Sequence, residues 1–261
     1  GSSAVSGALD VEEASRLTDI DGISLSEALQ RYHLDIHDFP KAKKEFQDKK
    51  IKAYLELHIE QAPILESQNK SVACVYGITG CERQYITFTG QRAHSGCPIP
   101  MRHDAFLAAA QAALSFRDIG ISHSSDGKYA YCTVGKVDVD PGVVTIFPGT
   151  CKISLDQRHI DTDVLKAIYD EPVWSIPPTI FDKHLAELCK EAVKEETGEA
   201  TAMYSGPLHD AAEMAKILPS IMMFVKSTAG LSHCKEEDTP DSDLETGISA
   251  FLRLADKVIQ E

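Results

Sequence analysis

Residues 54–66 read YLELHIEQAPILE. The first half alternates, and the alternation reaches back to Ile51. Ile51, Ala53, Leu55, Leu57 and Ile59 share one side, and Lys52, Tyr54, Glu56, His58 and Glu60 share the other. A period of two is that of a strand with one face in a core. This strand ends in a histidine between two glutamates, then runs through Gln61 into Ala62-Pro63. Strand ends are where α/β folds collect their ligands and reacting groups. A histidine there can bind a metal, act as a base, or simply complete a local hydrogen bond.

The surrounding pattern points to an α/β protein with an insertion. Upstream, residues 1–50 are polar and helical in character, and Ser24-Leu25-Ser26-Glu27 is a capping box that opens a helix toward Arg31. Another helix starts after Pro40. Residues 63–68 form a helical turn, and 72–78 form a second strand. The middle third predicts a strand at 84–89, a Gly/Pro loop at 94–100 and an Ala-rich helix at 104–116. A strand pair or one bent strand follows at 129–139, a strand at 152–157, and a helix at 162–170 with an Asp163 start. Strand, helix, strand, strand, helix is most of a split βαβ unit of ferredoxin-like type. Its last strand is expected after the second helix, but the chain goes straight to Pro172 and Trp174-Ser175-Ile176-Pro177-Pro178. That strand is therefore short, or residues are absent near Glu171-Pro172. The last third returns to α/β alternation, with helices at 182–197, 210–216 and 241–260 and a buried strand at 220–225.

The 261-residue chain is 43% hydrophobic and 25% charged, as soluble globular proteins are. A net charge of −14 argues against nucleic acid, whose phosphates call for a basic surface. No run approaches the ~20 apolar residues of a membrane span. No signal peptide is visible at GSSAVSGALDVEEASRL. The seven cysteines are odd in number and include no C-x-x-C pair, so they form neither a zinc ribbon nor a disulfide framework. They fit a reducing, cytoplasmic compartment.

Four polar clusters stand out: Leu57-His58-Ile59-Glu60-Gln61; Gly90-Gln91-Arg92-Ala93-His94-Ser95-Gly96, with Pro100-Met101-Arg102 and Asp104-Ala105; Ile146-Phe147-Pro148-Gly149, with Asp156-Gln157-Arg158; and Ser205-Gly206-Pro207-Leu208-His209-Asp210-Ala211, with Gly230-Leu231-Ser232-His233. Each taken singly has a plain reading, such as a hydrogen-bonded histidine in a turn or a solvated arginine at a strand end. Taken together and in order, they resemble the metal-dependent amidohydrolases that include allantoate amidohydrolase, N-carbamoyl-L-amino-acid hydrolase, ureidoglycolate amidohydrolase and β-alanine synthase. These are relatives of the two-metal aminoacylases and carboxypeptidases. ELHIEQAP stands against the family's E-L-H-I-E-Q-G-P, and GQRAHSGCPIPMRHDA against its G-x-x-A-H-A-G-T-x-P-M and R-x-D-A.

The resemblance implies a metal-binding α/β domain (1–79 and 173–261) interrupted by a lid and dimerisation domain (80–172). It implies two divalent ions, zinc or manganese, with His58 and His233 as ligands, one to each ion. His94 would stabilise the oxyanion, reaching in from the partner subunit of a homodimer. Gln61 would touch the substrate, Arg158 would clamp its carboxylate with a planar fork, and His209 would line the same pocket. Thr145 stands where the family has a substrate-binding asparagine. The family's remaining ligands and its general base have no counterpart here, because GSSAVSGALD resembles the stretch that follows them. The resemblance therefore implies that the N-terminal part of the catalytic domain is missing and that the chain alone is inactive. Glu56 and Glu60 would support His58 rather than act as bases. Two other readings stay open: an aminoacylase or dipeptidase, and a non-catalytic fragment or pseudoenzyme that dimerises and binds a carboxylate ligand.

Overall fold

The computed structural model describes residues 1–125, 127–170 and 172–260. It divides into two compact units, one made of Gly1–Gly77 and Ile180–Glu261, the other of Ile78–Thr179. The first begins with short helices α1 (Ser2–Ser6), α2 (Val11–Ser15), α3 (Leu25–Gln30) and α4 (Phe39–Asp48). α3 opens on the expected capping box: Glu27 N–H donates to Ser24 Oγ and the Ser24 N–H donates to Glu27 Oε2. β1 (Tyr54–Ile59), α5 (Ile64–Ser67) and β2 (Val72–Ile78) follow.

The second unit holds β3 (Gly80–Thr89), β4 (Ala93–His94), α6 (Ala105–Ser122), β5 (Tyr131–Thr133), β6 (Val137–Asp140), β7 (Ile146–Phe147), β8 (Thr150–His159), α7 (Thr162–Ile168) and β9 (Trp174–Ile176). Its main sheet has the order β5-β8-β3-β9, and β6 also pairs with β8. Residues 129–139 are thus two strands, both laid along β8. α6 and α7 supply Ala105, Ala109, Phe116 and Ile168 to a core with Cys151, Ile153 and Leu155 of β8. The first cap of α7 is Asp161, not Asp163: its side chain accepts from Asp163 N–H. The strand expected after the second helix is present but short, with Cys81–Arg83 of β3 facing Trp174–Ile176. That pairing carries the unit past residue 172, to Thr179. Glu171, where a gap was suspected, lies outside the described residues.

The chain re-enters the first unit through β10 (Thr179–Ile180), then adds α8 (Lys183–Thr197), β11 (Ala202–Ser205), α9 (Asp210–Met214), β12 (Ser220–Val225) and α10 (Asp241–Gln260). The sheet order is β1-β12-β2-β10, with β11 also on β2. β1 and β12 run parallel, from Tyr54↔Ser220 to Ile59↔Val225. β12 is buried at every position, which is why SIMMFV reads as an unbroken apolar run. Alternate residues sort the two faces of this sheet. Phe224 lies against the rings of His58 and His209, and Val225 lies against Gly247 of α10. On the helix side, Leu185, Cys189, Val193, Leu254 and Val258 close the core. Among the described residues no helix is long and apolar enough to cross a membrane.

Candidate active site

The polar side of β1 carries a cluster of ionisable side chains. Tyr54, Glu56 and His58 follow one another on that face, and α9 packs against β1 and β12 with His209 as its N-terminal cap residue. The rings of His58 and His209 meet edge to face, 4.4 Å between centroids. Glu56, His58 and His209 each offer a ligand atom within 4.8 Å of the others. Two imidazoles and a carboxylate are a donor set that suits a divalent cation.

Each member of the group is held by a partner. Glu56 Oε2 accepts from Tyr54 Oη and from Ala211 N–H, both at 2.9 Å. Burial raises the pKa of the Glu56 carboxyl, with the Tyr54 bond and the nearby His58 pulling the other way. The His209 side chain is 1% exposed, and its pKa falls to about 3, first through burial and then through proximity to His58. His209 is therefore a neutral imidazole at physiological pH.

Gln61, Ser232, His233 and Glu237 form a second group in the same unit. Gln61 holds a left-handed conformation (φ 58°), and its N–H donates to Ser227 Oγ at 3.0 Å. Its side-chain Nε2 donates to Ser232 Oγ at 2.7 Å and lies 3.4 Å from His233 Nε2. The loop that carries these residues is held close to Ala62-Pro63 by Gly230, where a Cβ would come within 2.6 Å of Pro63. His233 N–H donates to Glu237 Oε2 at 2.9 Å. That bond chiefly lowers the pKa of the Glu237 carboxyl, followed by a bond from Ser232, and His233 and His58 add smaller charge effects. The two imidazoles thus act on one carboxylate, but His233 itself is not part of the Glu56–His58–His209 group.

Glu60 has a different task from the one expected. It is 1% exposed and accepts from Ile64 N–H and Leu65 N–H at 2.8 and 2.9 Å, closing the first turn of α5. It is a helix cap rather than a support for His58.

In the second unit His94 and Thr145 are neighbours. β4 pairs with β7, and Ser95 N–H donates to the Thr145 carbonyl at 2.8 Å. Gly96 N–H donates to His94 Nδ1 at 3.0 Å, so the neutral ring carries its proton on Nε2. Arg158 is half-buried at the far end of β8. Its Nε and Nη2 donate to the two carboxylate oxygens of Asp156 at 2.7 and 3.2 Å.

Of the predicted residues, the structure brings His58 and His209 into contact, joins Gln61 to His233, and sets His94 beside Thr145. Glu237 was missed by sequence reasoning. It lies four residues after His233, and a glutamate at that spacing was the one available signal.

Comparison with known proteins places these features in a wider set. The Escherichia coli allantoate amidohydrolase is 30% identical over 277 residues, covering 96% of this chain and 64% of the relative. The N-carbamoyl-L-amino-acid amidohydrolase of Paenarthrobacter aurescens is 28% identical over 276 residues, covering 97% and 65%. The crystal structure of a hydantoinase/carbamoylase family amidase from Burkholderia multivorans superposes with a TM-score of 0.85 at 30% identity, covering 100% of this chain and 66% of that one. The chain thus spans just under two thirds of the length of these relatives. Residues 12–257 match Peptidase family M20/M25/M40, and the chain belongs to that family.

Proposed function

We propose that the protein is a metal-dependent hydrolase of carbon–nitrogen bonds in linear amides and ureido acids, of the allantoate, ureidoglycolate or N-carbamoyl amino acid kind. The observation that carries this reading is the gathering of Glu56, His58 and His209 within 4.8 Å, in a chain of this family. His58 and His233 would each hold one of two divalent ions, zinc or manganese, which would supply an activated water and polarise the substrate carbonyl.

The chain's own residues bind and orient. Gln61, anchored on Ser232, presents its amide to the substrate, and His209 borders the same pocket. His94, with its Nδ1 engaged by Gly96, has an Nε2–H to donate to a developing oxyanion. Arg158, steadied by Asp156, clamps the substrate carboxylate, and Thr145 takes the place of a substrate-binding amide.

The protein works as a homodimer in this reading. His94 and Thr145 lie at the Thr150 end of β8, and Arg158 lies eight residues along it, or about 26 Å at ~3.3 Å per residue. One copy of this unit cannot offer all three to one small substrate, which supports donation of His94 to a partner's site. An apolar cavity of about 400 Å³, lined by Phe106, Ala110, Ala113, Leu114, Val134 and Val137, is the face we assign to the second copy. The cytoplasmic assignment rests on the seven free cysteines.

The test is ammonia release. Protein purified from its natural reading frame, stripped of metal and reloaded with zinc or manganese, is offered allantoate, ureidoglycolate and N-carbamoyl amino acids. Release that vanishes with chelator and with His58→Ala supports the proposal. Absence of metal-dependent release from every ureido acid and amide tried removes it.

A further inference from the structure

We propose that Arg102 is a positioning residue for His94: its guanidinium grips the Ser95–Gly96 peptide from the carbonyl side and so fixes which nitrogen of the His94 ring carries the proton. The proposal rests on the reading of His94 as the oxyanion donor, and it adds the group that prepares that donor.

The loop that carries His94 has little to hold it in place. Residues 94–102 read HSGCPIPMR. Pro98 and Pro100 have no N–H to donate, and Gly96 has no side chain to restrict its backbone. A few turn bonds remain: Cys97 N–H donates to the His94 carbonyl at 2.9 Å, and Met101 and Arg102 N–H donate to the carbonyls of Pro98 and Ile99 at 3.0 and 3.1 Å. The Arg102 side chain then folds back over the loop. Its Nε donates to the Cys97 carbonyl at 2.9 Å and its Nη2 to the Ser95 carbonyl at 2.5 Å. The guanidinium carbon lies 5.4 Å from the ring centroid of Phe147, which is buried and pairs with Ala93 across β4 and β7. The cation is thus braced on the same two-stranded ribbon that carries His94.

One peptide group joins the arginine to the histidine. The Ser95 carbonyl and the Gly96 N–H belong to the same planar trans unit, in which they point in opposite directions. Arg102 holds the oxygen, and the N–H on the other side donates to His94 Nδ1 at 3.0 Å. A cation on the carbonyl polarises the peptide and makes its N–H the stronger donor. His94 Nδ1 is thereby kept as an acceptor, and the ring proton stays on Nε2, where an oxyanion can use it. Gly96 permits the close approach, since a Cβ there would stand 3.1 Å from Nδ1. A lysine ammonium keeps the charge of Arg102 but is a point donor without the planar fork, so it loses the orientation. Without the grip, the peptide can turn about Gly96 and Nδ1 loses its donor.

The experiment reads the His94 ring directly. Protein from the natural reading frame, labelled at histidine, is studied by long-range proton–nitrogen NMR at about pH 8, where an ordinary imidazole is neutral. His94→Gln assigns the signal. The wild type should show one tautomer, with Nδ1 bare and Nε2 protonated. Arg102→Lys and Arg102→Ala should show a mixture, with the Nδ1–H form raised at least about fivefold and the Gly96 amide exchanging at least about tenfold faster. With metal and substrate, kcat should fall about tenfold while KM stays within about twofold. Added guanidinium ion, below denaturing concentration, should restore the tautomer and kcat of Arg102→Ala, a rescue that general loosening of the loop would not show. A wild-type ring with its proton on Nδ1 overturns the proposal without any variant. A single tautomer and unchanged Gly96 exchange in both variants overturn it as well, whatever their activity. Mixed tautomers in the variants, with no ammonia released by the wild type from any substrate tried, leave the grip of Arg102 standing and remove the hydrolase reading.

Discussion

Asp156 and Arg158 stand two residues apart on one face of β8 and are joined by two hydrogen bonds, Nε to Oδ1 at 2.7 Å and Nη2 to Oδ2 at 3.2 Å. Arg83 Nε reaches the same carboxylate at 2.8 Å. Burial alone would raise the pKa of the Asp156 carboxyl, but the two arginines outweigh it and hold it below its usual value. A guanidinium fixed in this way is oriented before a substrate arrives. Arg158→Ala should raise KM for a carboxylate substrate about thirtyfold, equivalent to ~2 kcal/mol, and Asp156→Asn should raise it a few-fold, with kcat little changed in both. Steady-state kinetics decide the matter, and a loss confined to kcat would rule out the clamp.

Gly230 has φ +63°, and a Cβ there would sit 2.6 Å from both N and Cδ of Pro63. Backbone atoms cannot yield as the end of a long side chain can. Gly230→Ala should cost ~2–3 kcal/mol and lower Tm by several degrees. Gly22 is the control: it also has a positive φ (+80°) but nothing within 4 Å, so Gly22→Ala should cost only ~1 kcal/mol. Equal losses in the two variants, measured by thermal unfolding, would show that the Pro63 contact is not the constraint.

Much of this architecture can be read from local pattern. The alternation at 51–59, which the structure forms as a strand only from Tyr54, with Ile51 left exposed, the unbroken run at β12, the Ser24–Glu27 box, and α8 bounded by Asp182 and Gly198 are all short-range signals. What resists reading is set by distant contacts. β11 and β9 are four and three residues long, too short to show a period, and exist because β2 and β3 pair with them. Glu60 shares the parity of His58 on paper, but β1 ends at Ile59 and the left-handed Gln61 turns the chain, so Glu60 points into the start of α5. The meeting of His58 and His209 joins residues far apart in sequence, and no local periodicity encodes it.

The capping role of Glu60 separates cleanly from any catalytic one. Glu60→Ala leaves the Ile64 and Leu65 N–H groups without their acceptor in a buried setting. The expected loss is ~2 kcal/mol, a Tm drop of ~5 °C, with Glu60→Gln milder because one acceptor oxygen remains. Zinc affinity should stay within about twofold of the wild type. A tenfold loss of metal affinity without a fall in Tm would return Glu60 to the metal centre.

His209 gives the protein a specific acid sensitivity. Its folded pKa lies at about 3, against an ordinary value of 6.5. Above pH 6.5 the ring is neutral in both folded and unfolded chains, and its contribution is fully present. As pH falls from 6.5 toward 3, the unfolded chain takes up a proton that the buried ring refuses, so stability declines across that window and not above it. At pH 4.5 the loss amounts to about 2–3 kcal/mol. His209→Gln has no such proton to gain. Urea unfolding with chelator present, at pH 7 and pH 4.5, should therefore show the wild type losing more stability than the variant by about that amount. Parallel losses in the two proteins would mean that His209 is protonated within the fold, and that the desolvated pocket around Ser205 and Phe224 does not hold it neutral.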